Sequence, residues 1–378
     1  MKIALQFLFI LTNIIFGVDK LFVACEGQYY SGQGSVSIIK NLESITELNN
    51  LGNTVQSVTV HNEMLFIIVN GSSLIHVFEI NSNGEEYIQT IDTNGSGPRN
   101  LTIFDGLAYF TNWNTSDIKV LELENFEIIN TIPVIGLPED IISDGYALWV
   151  SIIMNEDWSD GNKVLKINPL TENIIEFDVG AGPGELLHHN DAIYISRTYY
   201  DGYWNAYHAT SKIYNNEVIT AEYGAGLPCG GSITKHLGQV YRAYDGGIAP
   251  LDDNLNIITS ERIGDFDYSN VYDVESIDGN IYFALTDWNN LNQIAITDEM
   301  GYEISNFNVG IIPTDFALWS QTDSGDIDEN GELNVLDVLL MIDMILGHIN
   351  SDIDVADLNE DGYLNILDVI LMVNILID

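Results

Sequence analysis

PRNLTIFDGLAYFTN, residues Pro98 to Asn112, reads as a proline, an apolar strand, a turn and a second apolar strand. The same phrase returns along the chain. It runs as PEDIISDGYALWVS from Pro138, PGELLHHNDAIYIS from Pro183, PCGGSITKHLGQVYRA from Pro228 and PTDFALW from Pro313. VQSVTVHNEMLFIIV from Val55 and VYDVESIDGNIYFAL from Val271 are looser copies. The seven anchors Val55, Pro98, Pro138, Pro183, Pro228, Val271 and Pro313 are spaced 43, 40, 45, 45, 43 and 42 residues apart. Further alternating runs lie between them, such as Ile118 to Leu123 and Glu127 to Ile132.

Four short strands per unit at this period are the signature of propeller blades, whereas helical repeats need apolar spacings of three and four. Seven anchors predict a mainly β chain built on a seven-bladed β-propeller. Only one strand follows the last anchor before Gln321, while Leu21-Phe22-Val23-Ala24 aligns with Ile281-Tyr282-Phe283-Ala284. Ring closure accounts for both: the strand at Asp315 to Trp319 is expected to pair with Leu21 to Ala24 and Ser35 to Ile39, leaving no open edge. The units resemble the YVTN-type β-propeller repeat, as in Val179-Gly180, Pro183, Asp191 and Ile193-Tyr194-Ile195. That resemblance covers roughly residues 20 to 320 and implies a fold more than an activity.

The 378 residues carry 12 Lys and Arg against 56 Asp and Glu, a formal net charge of −44, yet 46% of them are hydrophobic. Such a charge excludes a generic nucleic-acid surface and favours cation binding. Aromatic and β-branched residues run through the acidic segments, which a disordered polyanion would lack. At the N-terminus, Lys2 precedes an apolar run from Ile3 to Val18, and Asp19-Lys20 follow. The run has the length of a signal peptide and is too short for a usual membrane anchor, so a secreted or cell-surface protein is expected. Cys25 after Phe22-Val23-Ala24 loosely resembles a lipidation motif, though Asp19 and Lys20 interrupt it and cleavage there would delete the closing strand. Cys229 is the other cysteine, and the pair is compatible with one disulfide or with two buried thiols.

Residues 325–378 contain one pattern twice: Asp326, Asp328, Asn330, Gly331, Glu332, Asn334 and Asp337, then, 31 residues on, Asp357, Asn359, Asp361, Gly362, Tyr363, Asn365 and Asp368. Calcium asks for about six to eight oxygens around a tightly curved loop. Side chains at loop positions 1, 3, 5 and 12, a main-chain carbonyl at 7 (Glu332, Tyr363), a water-bridged side chain at 9 (Asn334, Asn365) and Gly at 6 satisfy that geometry. The segment has no Lys or Arg, so its acids repel one another until a cation joins them. Two calcium ions are expected.

Each loop runs straight into one apolar helix, Val335 to Leu346 and Ile366 to Ile377, with no helix before it. That duplication, with Asp at the twelfth position, resembles the type I dockerin module. The resemblance implies docking to a cohesin-like or cell-surface receptor through loop positions 10 and 11 and the following helix, here Val335, Leu336, Leu340, Ile366, Leu367 and Leu371. The loop positions are apolar where many cellulosomal members carry hydroxyl residues. Two short helices cannot bury this much apolar surface against each other, so part of it is left for a partner or for packing within the protein. The expected organisation is a signal peptide at 1–18, the propeller at 19–320, a linker at 321–324 and the small α-helical calcium-binding module at 325–378.

In a blade, the loop after the second strand and the loop entering the first open on the same face. The former carry Trp113, Trp158, Tyr200, Trp204 and Trp288 beside Asp and Asn residues. Such rings suit stacking on a glycan or clasping a peptide, with rings acting as spacers between blades the alternative. Two residues past the anchors stand Asn100, Asp140, Glu185, Asp273 and Asp315, near the channel mouth. They can converge on a metal, as some propeller lactonases do, or cap strand ends. His188 and His189 are neighbours on a strand, so at most one faces any site. No nucleophile elbow, zinc signature or phosphate loop stands in the sequence. The expectation is an extracytoplasmic, non-enzymatic binding or adhesion-type protein. The alternative is a metal-dependent propeller enzyme, a lactonase, lyase or glycan hydrolase, carrying the same docking module.

Overall fold

The hairpin at Pro98 forms as written. Strands Pro98–Phe104 and Leu107–Asn112 pair antiparallel around Asp105 and Gly106, whose φ values of 49° and 74° are those of a two-residue turn matched to strand twist. The computed structural model describes residues 19–28, 33–225, 231–277, 279–320, 325, 327, 333–349, 353–358 and 363–377. The expected signal segment, Cys229, and the loop residues Asp326, Asp328, Asn330, Glu332, Asn359 and Asp361 lie outside them. The chain divides into two compact units, Lys20–Trp319 on one hand and Met1–Asp19 with Ser320–Asp378 on the other. Among the described residues no helix is long and apolar enough to cross a membrane.

The first unit is a ring of seven antiparallel sheets, the blades, numbered here from the Val55 anchor. Their innermost strands are Val55–His61, Pro98–Phe104, Leu137–Ser143, Pro183–His189, Ile233–His236, Val271–Ile277 and Pro313–Ser320. Second strands such as Met64–Val69 and Leu107–Asn112 are almost wholly buried because a neighbouring blade covers each face, which is why they read as unbroken apolar runs. Outer strands such as Ile128–Pro133 are mostly exposed. The core lies between blades. Phe66 and Ile75 of blade 1 pack on Leu101 and Phe110 of blade 2, and Tyr109 and Ile118 of blade 2 on Ile141 and Val150 of blade 3.

Ring closure follows the sequence expectation. Pro313–Ser320 joins Asp19–Cys25, Ser35–Lys40 and Ser44–Leu48 in one sheet, with Phe22 opposite Ile38 and Ala24 opposite Val36. The buried Lys20 Nζ donates to Asn81 O at 2.5 Å and to Glu85 Oε1 at 2.6 Å, tying this seventh blade to the first. Cys25 is a buried free thiol whose pKa burial pushes up to about 12, so it is inert.

Blade 5 departs from four strands per unit: its sheet has three, Ile233–His236, Gln239–Tyr244 and Gly247–Pro250. The chain then returns as an irregular segment making only isolated bridges, Ile248 to Ile263 and Leu251 to Ile257. Glycine allows it. A Cβ on Gly246 would stand 1.8 Å from Phe266 O, and one on Gly247 2.2 Å from Ile263 O, so bare backbone packs where a fourth strand would lie.

In the second unit, helices Val335–Ile345 and Ile366–Ile377 share a small core of Val338, Met341, Ala356, Val369 and Met372. Gly325 donates its N–H to Val355 O at 2.8 Å, and a Cβ there would meet Met372 Cε at 2.7 Å.

Candidate docking module, aromatic face and acidic channel

The C-terminal loops are built around their twelfth residues. Asp337 is fully buried, its Oδ1 accepting the Ile327 N–H at 2.9 Å and its Oδ2 the Asn334 N–H at 2.8 Å. Asn334 completes a capping box by accepting the Leu336 N–H at 2.8 Å. The second loop repeats this: Asp368 is fully buried, Asn365 N–H donates to its Oδ2 at 2.8 Å, and Leu367 N–H to Asn365 Oδ1 at 3.0 Å. A buried carboxylate aligned by its own loop, in a segment of hard oxygen donors without Lys or Arg, fits calcium. Tyr363 has an exposed ring, and its main-chain oxygen accepts the Asn365 Nδ2 at 2.9 Å.

The 31-residue offset carries into the helices. Val335, Leu336 and Leu339 are exposed, and so are their counterparts Ile366, Leu367 and Ile370. Leu371 is exposed whereas Leu340 is half-buried. Leu339 and Ile370 were not among the expected docking residues. The sequence signal for this further exposed pair is its own apolar match, Leu at 339 and Ile at 370, 31 residues apart.

On the propeller, Trp158, Trp204 and Trp288 are 68%, 83% and 51% exposed, and Tyr200 is exposed as well. Trp113 is half-buried, with the Arg99 guanidinium 4.1 Å above its ring and the Trp158 ring edge-on at 6.3 Å. Arg99 also pairs with Glu139 at 2.5 Å and donates to Gln56. Tyr272 contacts Trp288 at 5.1 Å and donates its OH to Glu26 Oε1 at 3.0 Å; burial raises the Glu26 pKa, opposed by that hydrogen bond and by Arg99. Tyr200 and Trp204 lie 6.2 Å apart.

The backbone beneath the three exposed tryptophans is left-handed, with φ of 66° at Trp158, 65° at Trp204 and 65° at Trp288. That conformation costs a side-chain-bearing residue on the order of 1–2 kcal/mol. In the turns closed by Trp158 N–H to Asn155 O and Trp204 N–H to Asp201 O, both 2.9 Å, the tryptophan occupies the place that glycine takes in the turn closed by Gly301 N–H to Asp298 O. Nearby aspartates hold the turns. Asp157 Oδ1 accepts the Ser159 N–H and OH, and Asp287 Oδ1 accepts the N–H groups of Asn289, Asn290 and Leu291. These bonds keep both aspartates below the usual carboxylate range.

In the channel, the residues two past the anchors stitch blade to blade. Asp140 Oδ2 accepts the Leu186 N–H at 2.7 Å, Glu185 Oε2 the Ile233 N–H at 3.1 Å and Asp315 Oδ2 the Val58 N–H at 2.8 Å. Asn100 Nδ2 donates to Asp140 Oδ1 at 2.6 Å and Ser232 Oγ to Asp273 Oδ1 at 2.5 Å. One oxygen each of Asp273, Glu275 and Asp315 fall within 4.8 Å of one another. Burial, the largest cause, pushes Asp140 and Asp273 up to about 6, and burial with neighbouring carboxylates raises Glu185, Glu275 and Asp315. Glu275 was absent from the expected ring. Strand alternation points to it, since it follows Asp273 by two and faces the same way. Arg242 is fully buried, donating to Thr210 Oγ1 and Ser232 O, with Nη2 lacking a partner among the described residues.

These features define a seven-bladed β-propeller followed by a duplicated loop-and-helix module. Residues 324–377 match the dockerin type I domain, and the C-terminal module is such a domain. Dockerin type I domains bind calcium, and dockerins bind cohesins. No curated protein matches the sequence. Solved structures similar to the chain include a hypothetical selenium-binding protein from Sulfolobus tokodaii (10% identity, TM-score 0.62, 80% of this chain and 93% of that one). A provisional 6-phosphogluconolactonase from Bacteroides fragilis (14%, 0.56, 80% and 98%) and AztD from Citrobacter koseri (12%, 0.53, 80% and 98%) are similar too. At these identities the likeness is one of fold.

Proposed function

We propose that this is an extracytoplasmic binding protein whose dockerin module, ordered by two calcium ions, docks it to a cohesin-like receptor while the propeller presents its aromatic face to a glycan or peptide. The observation that carries the reading is the duplicated set of exposed apolar residues, Val335, Leu336 and Leu339 with Ile366, Leu367 and Ile370, standing beside the buried Asp337 and Asp368. An apolar surface that follows the calcium-loop repeat residue for residue is suited to recognition by a partner rather than to internal packing. Titration of the full chain against a panel of cohesin modules, with and without calcium, tests it. Calcium-dependent binding to at least one is expected, and binding to none sinks the docking reading.

The convergence of Asp273, Glu275 and Asp315 favours a second reading, a metal-dependent propeller hydrolase. Asp315 already holds the neighbouring blade through one oxygen, and Asp273 is bonded to Ser232, so structural duty accounts for much of this ring. Turnover of a lactone or glycan that requires a divalent metal and is lost in Glu275→Gln would establish the second reading, an enzyme carrying the same docking module, in place of the non-enzymatic one.

A further inference from the structure

We infer that the three left-handed tryptophans form a preset stacking platform for an uncharged polysaccharide chain; this rests on the reading that the aromatic face binds a ligand. Trp158, Trp204 and Trp288 hold a conformation that glycine adopts freely, yet they remain more than half exposed, each touching one neighbouring aromatic ring. Strained backbone under an exposed side chain indicates that the ring's position itself is what matters.

The chemistry left available around these rings sets the ligand class. Three of the acids beside these rings are engaged by their own turns: Asp157 by Ser159, Asp287 by three main-chain N–H groups, and Asp201 by Tyr203 and Asn205, with its second oxygen on the Asn205 amide at 2.8 Å. The N–H groups of Trp158, Trp204 and Trp288 are bonded as well, to Asn155 O, Asp201 O and Thr286 Oγ1. A peptide main chain therefore finds the tryptophan N–H groups already taken, and a polyanion meets a net charge of −44. What the loops offer outward is flat apolar ring face, which matches the C–H faces of pyranose units. Rigid rings also reduce the ordering lost on binding.

Affinity electrophoresis of the full chain, in calcium, through gels containing hydroxyethylcellulose, xyloglucan or galactomannan tests this, with polygalacturonate and polylysine as charged probes. Retardation by at least one uncharged polymer, insensitive to added salt, is expected. Trp158→Gly, Trp204→Gly and Trp288→Gly should each weaken it about tenfold, with the thermal midpoint held or raised because glycine relieves the left-handed strain. Retention by no uncharged polymer, or glycine variants that bind as the parent does, overturns the inference. Salt-sensitive, ring-dependent binding to polylysine also overturns it, while leaving a ligand-binding face in place. Ring-independent behaviour with every probe removes both.

Discussion

The molecule gathers carboxylates in two places, and they are managed in opposite ways. In the propeller channel, Asp140, Glu185 and Asp315 each accept a main-chain N–H from the next blade, and their environment favours the protonated form. In the C-terminal loops, acids recur on a calcium-ligand spacing without any Lys or Arg to balance them, and Asp337 and Asp368 are buried at the centre. One set is reconciled by hydrogen bonds and protons, the other by a cation. Acidic residues alone therefore say little; what decides their role is whether backbone donors or a curved loop surrounds them.

Breaking the ring is the most severe test of the first arrangement. Deleting residues 21–39 removes two of the four strands of the seventh blade, and with them the partner of Pro313–Ser320, which carries Asp315. Loss of cooperative unfolding of the propeller in calorimetry is expected, and an unchanged transition would defeat the closure. Calcium removal is the corresponding test of the second. A chelator should abolish the helical signal of residues 325–378, because binding free energy there is folding free energy, on the order of several kcal/mol at saturating calcium. Titration calorimetry should count two ions per chain; no binding at millimolar calcium would overturn the assignment.

Acidity should drive the two apart. Asp140 and Asp273 titrate near about 6 when folded, above the unfolded carboxylate value of about 4, so their contribution is complete below that value and lost as pH rises through about 6. From about pH 7 to about pH 5 the propeller should gain on the order of 1–3 kcal/mol, while the dockerin loses calcium as its ligands protonate. Differential scanning calorimetry separates the transitions; a propeller midpoint that falls over this range contradicts the channel account. Glu275→Gln should raise that midpoint at neutral pH and leave it unchanged at about pH 5. The smallest effect is expected at the docking surface. Leu339→Ser or Ile370→Ser alone should cost about 1 kcal/mol or less of cohesin affinity where the partner engages one half of the duplicated face, and the double variant more.

Much of this was legible beforehand. The Pro98 phrase and its spacing predicted the blades, and Leu21 to Ala24 announced the closing strands, because strands covered on both faces show as apolar runs. The dockerin domain was legible because its repeated acidic spacing constrains residue types. Blade 5 was not, since its missing strand depends on the close approach of backbone to Gly246 and Gly247. Glu275 was not, since it stands two residues beyond the anchored ring position, and neither were the left-handed tryptophans, because local preference assigns such turns to glycine or asparagine.

Pro313–Ser320 also fixes how tension would reach the propeller. This strand closes the ring and is the last of the propeller before the chain runs on to the C-terminal module, so a load on the chain beyond Ser320 is borne first by this strand. There it meets the pairing with Asp19–Cys25 and the Asp315 bond to blade 1. The segment that makes the ring continuous is thus also the one whose release would open it.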